Sequence, residues 1–245
     1  MILASAQPIP EDGNIGNNLT DHYRFINMAA DFGSELIVFP EMSVTGYLRE
    51  DAYKFAFTEN DKRLEEFKRL SAEKKIIIIA GAPLKINTDL FIGSFIISPN
   101  GSLLIYTKQF LYPGEELYFK PSSDFNPMLE INNERISFST CFDIENFIHA
   151  QNASVKNSTI YIPSIFYSYK SINDAHLLLA GIAEKYSTNI LMSNYAGHTW
   201  GTESGGKSAF WDKNGDLIAS LDGSGSGLLI VKKNKDNWER LAILK

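Results

Sequence analysis

At 245 residues, with 44% hydrophobic and 21% charged side chains, the chain has globular composition and the length for one large α/β domain or two small ones. Its net charge of −6, with no basic stripe and no basic residues clustered around the aromatics, argues against nucleic acid as a partner. One cysteine excludes an internal disulfide and a cysteine-rich zinc site, and it fits a reducing, cytoplasmic setting.

Residues 2–7 read as a short apolar strand, without the basic start of a signal peptide and soon followed by Pro8 and Pro10. Residues 15–18 lead into a helix through Phe32, with Leu19, Tyr23, Ile26 and Ala30 at near-helical spacing and Gly33 as its stop. Residues 35–39 form a continuous apolar strand of the kind buried in a parallel sheet, ending in Pro40-Glu41. An amphipathic helix over 64–74 and a buried strand over 75–81 follow. The run from Ile76 to Ala82 is the longest apolar stretch, far too short to span a bilayer. Residues 90–98 and 102–107 make a hairpin around Pro99-Asn100-Gly101.

The second half repeats this order. A strand over 136–141 leads to a helix over 145–156, a strand over 158–163, a helix over 173–186 and a strand over 189–194. A hairpin over 207–212 and 216–220 turns at Lys213-Asn214-Gly215, and residues 227–232 add a last strand. No Pro/Ser-rich linker divides the halves, so one domain is expected. Two similar mixed sheets packed face to face with helices outside, a four-layer α-β-β-α sandwich of the α/β class, would satisfy the order.

Three residues stand at predicted strand ends: Glu41, Lys108 and Cys141. Ligands gather at such ends in α/β folds, so a nucleophile there is well placed. Taken singly, each has an ordinary alternative. Cys141 could be a small buried hydrophobe, Glu41 could cap a turn, and Lys108 could be a solvated charge.

Together they form a pattern. Phe39-Pro40-Glu41-Met42-Ser43-Val44-Thr45-Gly46-Tyr47, Tyr106-Thr107-Lys108-Gln109-Phe110-Leu111 and Cys141-Phe142-Asp143 resemble, in order, the three motifs of the nitrilase, or carbon–nitrogen hydrolase, superfamily. Pro113-Gly114-Glu115-Glu116-Leu117-Tyr118-Phe119 resembles the segment that supplies a further glutamate, with Glu115 the better match and Glu116 not excluded. Ala4-Ser5-Ala6-Gln7, residues 161–166, Met192-Ser193-Asn194-Tyr195-Ala196-Gly197 and Gly206-Lys207-Ser208 extend the likeness from residue 2 to the C-terminus.

The resemblance implies Cys141 as nucleophile, Glu41 as general base, Lys108 in the oxyanion site and Glu115 as an orienting carboxylate. It also implies substrate contacts from Phe142, Tyr47, Phe166, Asn194 and Trp200, with Tyr167 as a further pocket wall. The implied reaction is cofactor-independent hydrolysis of a small linear amide or N-carbamoyl compound, with nitriles and acyl transfer as less usual chemistry. A thiol of ordinary pKa about 8.5 needs such a base. The oxyanion of the tetrahedral intermediate needs preorganised charge from Lys108 and the Phe142 N–H, worth roughly 3–4 kcal/mol.

A homodimer is implied too, its contact reduced by the short stretch after residue 232. One departure is local: the family continues from the cysteine motif toward a Phe-Pro-Glu-like sequence, whereas this chain has Ile144-Glu145-Asn146-Phe147. It bears on substrate choice.

Three rival readings remain. Residues 201–208 spell the G-x-x-x-x-G-K-[ST] phosphate-loop pattern. That loop needs a helix behind it, and residues 209–212 instead run into an Asn214-Gly215 turn, so nucleotide binding is not expected. A Cys–His hydrolase would use His198 or His149. No histidine pair has zinc-ligand spacing, so no metal is expected. A non-catalytic member of the same fold would usually have lost Glu41, Lys108 or Cys141.

Overall fold

The computed structural model describes residues 1–245. The first half runs β1 (Ile2–Gln7), α1 (Ile15–Asp31), β2 (Leu36–Val38), α2 (Ala52–Phe55), α3 (Glu65–Lys74), β3 (Ile77–Ile86), β4 (Asp89–Ile97) and β5 (Leu103–Thr107). The second runs β6 (Leu129–Ile131), β7 (Glu134–Thr140), α4 (Phe147–Val155), β8 (Ile160–Ser164), α5 (Ile172–Tyr186) and β9 (Asn189–Met192). It continues with β10 (His198–Thr199), β11 (Thr202–Glu203), β12 (Ala209–Trp211), β13 (Leu217–Ser220), β14 (Gly227–Asn234) and β15 (Asn237–Leu244).

Seven strands form one sheet in the order β15-β14-β1-β2-β3-β4-β5, and six form the other in the order β13-β12-β9-β8-β7-β6. Both are mixed. The parallel cores β1–β2–β3 and β7–β8–β9 are buried on both faces, which is why their sequences are continuous apolar runs.

Alternation along each strand sends side chains into different cores. Leu36 and Val38, with Ile77 and Ile79, meet Ile136, Phe138, Ile160 and Ile162 between the sheets. Ile37, Phe39, Ile78 and Ala80 pack outward against Phe25 and Ile26 of α1 and Phe67 and Leu70 of α3. Tyr161 and Ile190 of the second sheet pack against Ala150 and Ala153 of α4 and Leu179 and Ala183 of α5. The four layers are therefore helix, sheet, sheet, helix.

Two buried serines stitch the sheets where β1 meets β9: Ser5 Oγ donates to Met192 O at 2.7 Å, and Ser193 Oγ donates to Ala6 O at 2.6 Å. Helix α1 opens where Asn14 Oδ1 accepts from the Asn17 N–H at 3.2 Å, and it closes before Gly33 at φ +73°.

The structure corrects several sequence expectations. Strand β3 passes Gly81 and runs through Pro83 to Ile86, pairing with β4 throughout. Pro83 is tolerated because its carbonyl, and so its missing N–H, faces Phe57 rather than β4. The helix expected from 145 is preceded by a 3-10 turn over Cys141–Glu145, and α4 begins only after Asn146. Residues 227–232 are not the last strand: β14 pairs with β1 of the first sheet, and β15 follows it. The second half thus supplies two strands to the first sheet.

Strand β15 carries Trp238 into the inter-sheet core, its ring 4.8 Å from that of Phe210. Its Nε1 has no hydrogen-bond partner, so the ring contributes by packing alone. Trp238→Ala is expected to cost about 3 kcal/mol in urea unfolding. A loss below about 1 kcal/mol would show that β15 lies outside the cooperative core.

Candidate active site

Glu41 sits in the turn that leaves β2. Met42 takes φ +50° there, and the turn lies so close to β3 that a Cβ on Gly81 would come within 2.5 Å of Met42 N and 2.8 Å of Pro40 O. Ser43 Oγ accepts from the Gly81 N–H at 3.3 Å and meets His22 Nε2 at 2.9 Å. Burial lowers the His22 pKa to about 4, so this prop is neutral at physiological pH. Tyr195 Oη donates to the Glu41 carbonyl.

Lys108 follows β5, its N–H bonded to Ile92 O at 2.9 Å. Cys141 follows β7 with φ +45°, a left-handed conformation that is uncommon for a residue with a Cβ. Asp143 joins these two segments. Its Oδ1 accepts from the N–H groups of Gln109 (3.0 Å) and Phe110 (2.8 Å), and its Oδ2 from the N–H of Thr140 (2.9 Å).

The ends of β2 and β5 and a 3-10 turn at Glu115–Leu117 bring the charged groups together. Lys108 Nζ donates to Glu41 Oε1 and to Glu115 Oε1, both at 2.8 Å, and all three side chains are fully buried. Glu115 also accepts from Tyr47 Oη, and its Oε2 accepts from the Tyr112 N–H at 2.7 Å. Glu41 Oε2 has no partner in the protein. Cys141 is the only cysteine, and its Sγ donates to Phe166 O at 3.5 Å.

Burial raises the Glu41 pKa to about 7, against the pull of Lys108 and with the push of Glu115. Burial alone would lower that of Lys108, but Glu41, Cys141 and Glu115 hold it above its ordinary value. Burial and the neighbouring Glu41 raise the Cys141 thiol well above its usual range, against Lys108. The resting thiol is therefore protonated at neutral pH, beside a carboxyl poised to ionise.

Above Cys141 opens a cavity of about 440 Å³, walled by Tyr47, Tyr112, Phe166, Tyr167 and Trp200. Its polar lining comes from Glu145, Ser168, Ser171 and Thr202. No group of three His, Cys, Asp or Glu side chains is arranged to hold a metal ion, and no helix is long and apolar enough to cross a membrane.

The carbon-nitrogen hydrolase family model matches residues 2–242. The chain belongs to the carbon-nitrogen hydrolase family. Among curated relatives, it is 29% identical to a glutamine-dependent NAD(+) synthetase of Thermotoga maritima over 58% of this chain and 25% of that protein. It is 23% identical to a nitrilase of Pyrococcus abyssi over 58% of this chain and 55% of that protein. Among solved structures, an amidase from Nesterenkonia sp. is 20% identical, covering 96% of this chain and 91% of that one, with a TM-score of 0.86. A variant of that amidase shows covalent addition of the acetamide moiety of fluoroacetamide at the active-site cysteine.

Within this family frame, the structure sorts the residues expected from sequence. Glu41, Lys108, Cys141 and Glu115 converge, and Glu116 is the exposed one of the glutamate pair, bonded to the Gly114 N–H. Tyr47, Phe166 and Trp200 line the cavity. Two expected substrate contacts do not. Phe142 turns its ring edge-on to Tyr112 at 5.6 Å. Asn194 is fully buried, with its oxygen taken by the Tyr167 N–H and both amide hydrogens by Tyr167 O and Gly206 O. It fixes the segment whose Phe166 carbonyl meets the thiol.

Neither rival histidine pairs with Cys141. His198 is exposed on β10, and buried His149 bonds Tyr106 and Tyr161 at 2.8 Å each. Strand β12, not a helix, follows residues 201–208, and Lys207 Nζ donates to Asn173. Tyr112, Glu145, Ser168, Ser171 and Thr202 had not been expected. Only the family departure at Ile144-Glu145 could have pointed to any of them.

Gly81→Ala is expected to push the Glu41 turn off β3, costing about 1–3 kcal/mol of stability and shifting the Glu41 carboxyl from Lys108. Chemical denaturation with a crystal structure of the variant checks this. An unshifted turn at unchanged stability would remove Gly81 from the site's architecture.

Proposed function

We propose that the chain is a cofactor-independent amidohydrolase that cleaves a small linear amide or N-carbamoyl compound through a cysteine thioester. The observation that carries this is Lys108 held between Glu41 and Glu115 beside the thiol of Cys141, at the base of a walled cavity. The cysteine adduct of the Nesterenkonia amidase variant supports it by likeness of fold.

The geometry supports each role. As Sγ attacks the carbonyl carbon, the Glu41 carboxylate takes the thiol proton. The two Lys108 hydrogen bonds to carboxylates leave one N–H, which stabilises the oxyanion with the N–H of Phe142 at the start of the 3-10 turn. Glu41 then gives its proton to the departing nitrogen, the C–N bond breaks and ammonia leaves. Water attacks the thioester as Glu41 removes its proton, the C–S bond breaks, and the proton returns to Cys141. Glu115 fixes Lys108 and, through Tyr47 and the Tyr112 N–H, two parts of the cavity wall. The implied homodimer would cover the exposed apolar Phe147, Val155 and Leu177 on α4 and α5.

Ammonia release across a panel of amides, N-carbamoyl amines and nitriles tests the proposal. Cys141→Ala is expected to abolish turnover, Glu41→Gln to lower kcat/KM by about 10²–10⁴-fold, and His198→Ala to leave it unchanged. Turnover by Cys141→Ala, or its loss in His198→Ala, would sink the assignment.

The pH profile is a separate check. Glu41 accepts a proton only when ionised, so kcat/KM should rise tenfold per pH unit below pH 7 and level off above it, following the Glu41 pKa of about 7. Activity independent of pH down to 5 would count against Glu41 as the base.

A further inference from the structure

The cavity above Cys141 is lined by one carboxylate, Glu145, and by no lysine or arginine. Glu145 closes the 3-10 turn that begins at Cys141, so the fold fixes the carboxylate relative to the thiol. Its Oε1 accepts from Tyr167 Oη at 2.6 Å, and its Oε2 accepts from no protein group. It belongs to no salt bridge. The charge of Lys108, behind the thiol, is committed between two carboxyls. Arg49 stacks 3.8 Å over the Trp200 ring, whose Nε1 donates to Glu50 at 3.2 Å, and neither charged residue lines the cavity.

Five aromatic rings complete the walls, and aromatic faces attract cations. Glu145 is exposed at the cavity mouth, and an open carboxylate oxygen beside aromatic faces is chemistry that recognises an ammonium group. A substrate carboxylate would find only hydroxyl donors here, with no lysine or arginine in the lining, and would meet the field of Glu145.

Resting on the amidase reading, we infer that the substrate is an amide or N-carbamoyl amine bearing a protonated amine at the end remote from the scissile carbonyl. Glu145 and the aromatic walls select that amine. Glu145 lies in the Ile144-Glu145-Asn146-Phe147 segment, where the chain departs from the family pattern.

Binding to the Cys141→Ala variant, read by calorimetry, isolates recognition from chemistry. The probes are ω-aminopentanamide, hexanamide and glutaric acid monoamide, matched in length but cationic, neutral and anionic. The cationic amide is expected to bind roughly tenfold or more tightly than hexanamide, and the anionic one most weakly. Adding Glu145→Gln should remove the cationic preference, and adding Glu145→Lys should shift it to the anionic probe. Equal binding of the cationic and neutral probes, preference for the anion, no binding of any probe, or a preference untouched by both Glu145 changes would overturn the inference.

Turnover of the same amides by the unaltered chain tests the amidase reading by itself. Selective binding without turnover would overturn that reading and keep the ammonium site. Turnover of all three at equal kcat/KM with equal binding would do the reverse.

Discussion

One ammonium group between two buried carboxyls governs this structure. Removing three charged side chains from water costs several kcal/mol each, and their mutual attraction offsets this only while the geometry holds. Lys108 meets Glu41 and Glu115 at 2.8 Å each because the ends of β2 and β5 and the 3-10 turn at Glu115 are held in register. Much of the surrounding architecture serves that register. Gly81 lets the Glu41 turn lie on β3, neutral His22 props Ser43, and Tyr47 and the Tyr112 N–H occupy the remaining acceptor sites of Glu115. The one acceptor left without a partner, Glu41 Oε2, belongs to the proposed base.

The thiol is joined to this cluster by a third carboxylate, Asp143, which accepts backbone hydrogen bonds from both the Lys108 segment and the residue before Cys141. Asp143 Oδ2 also accepts from Tyr106 Oη at 2.5 Å, and that hydroxyl meets His149, which bonds Tyr161 in turn. This buried chain runs from β5 of one sheet, through the turn after β7, to β8 of the other. A polar network with every member partnered rigidifies its surroundings. Thiol and ammonium, borne by different sheets, are thereby held as one unit.

The parts legible in the sequence were those with a local cause. Apolar runs gave the central strands, because burial on both faces demands them. Glu41, Lys108 and Cys141 stand at strand ends, and the three ordered family motifs made them legible together. The less visible parts depend on long-range contacts. Asn194 looked like a ligand-facing amide, but backbone atoms of Tyr167 and Gly206, distant in the chain, consume its hydrogen-bonding capacity. Tyr112, Ser168 and Ser171 come from loops, and Thr202 from the two-residue strand β11, where no periodicity indicates direction. Strand β15 was hidden by its polar residues Glu239 and Arg240, although Lys235, in the turn before it, takes φ +57°.

The partner of β1 in the first sheet bears on how the chain acquires its fold. Strand β1 lies between β2, its near neighbour in sequence, and β14, with Ile2 opposite Lys232. During vectorial synthesis β1 leaves the ribosome long before β14 exists, so one of its edges stays open until β14 has emerged. Closing that edge is a high-contact-order event that must meet its loop-closure entropy before any ladder bond forms. Closure of the first sheet is therefore a late step of assembly. The exposed edge of β1 in the nascent chain is the point at which a chaperone, or another unfinished copy, would compete with β14.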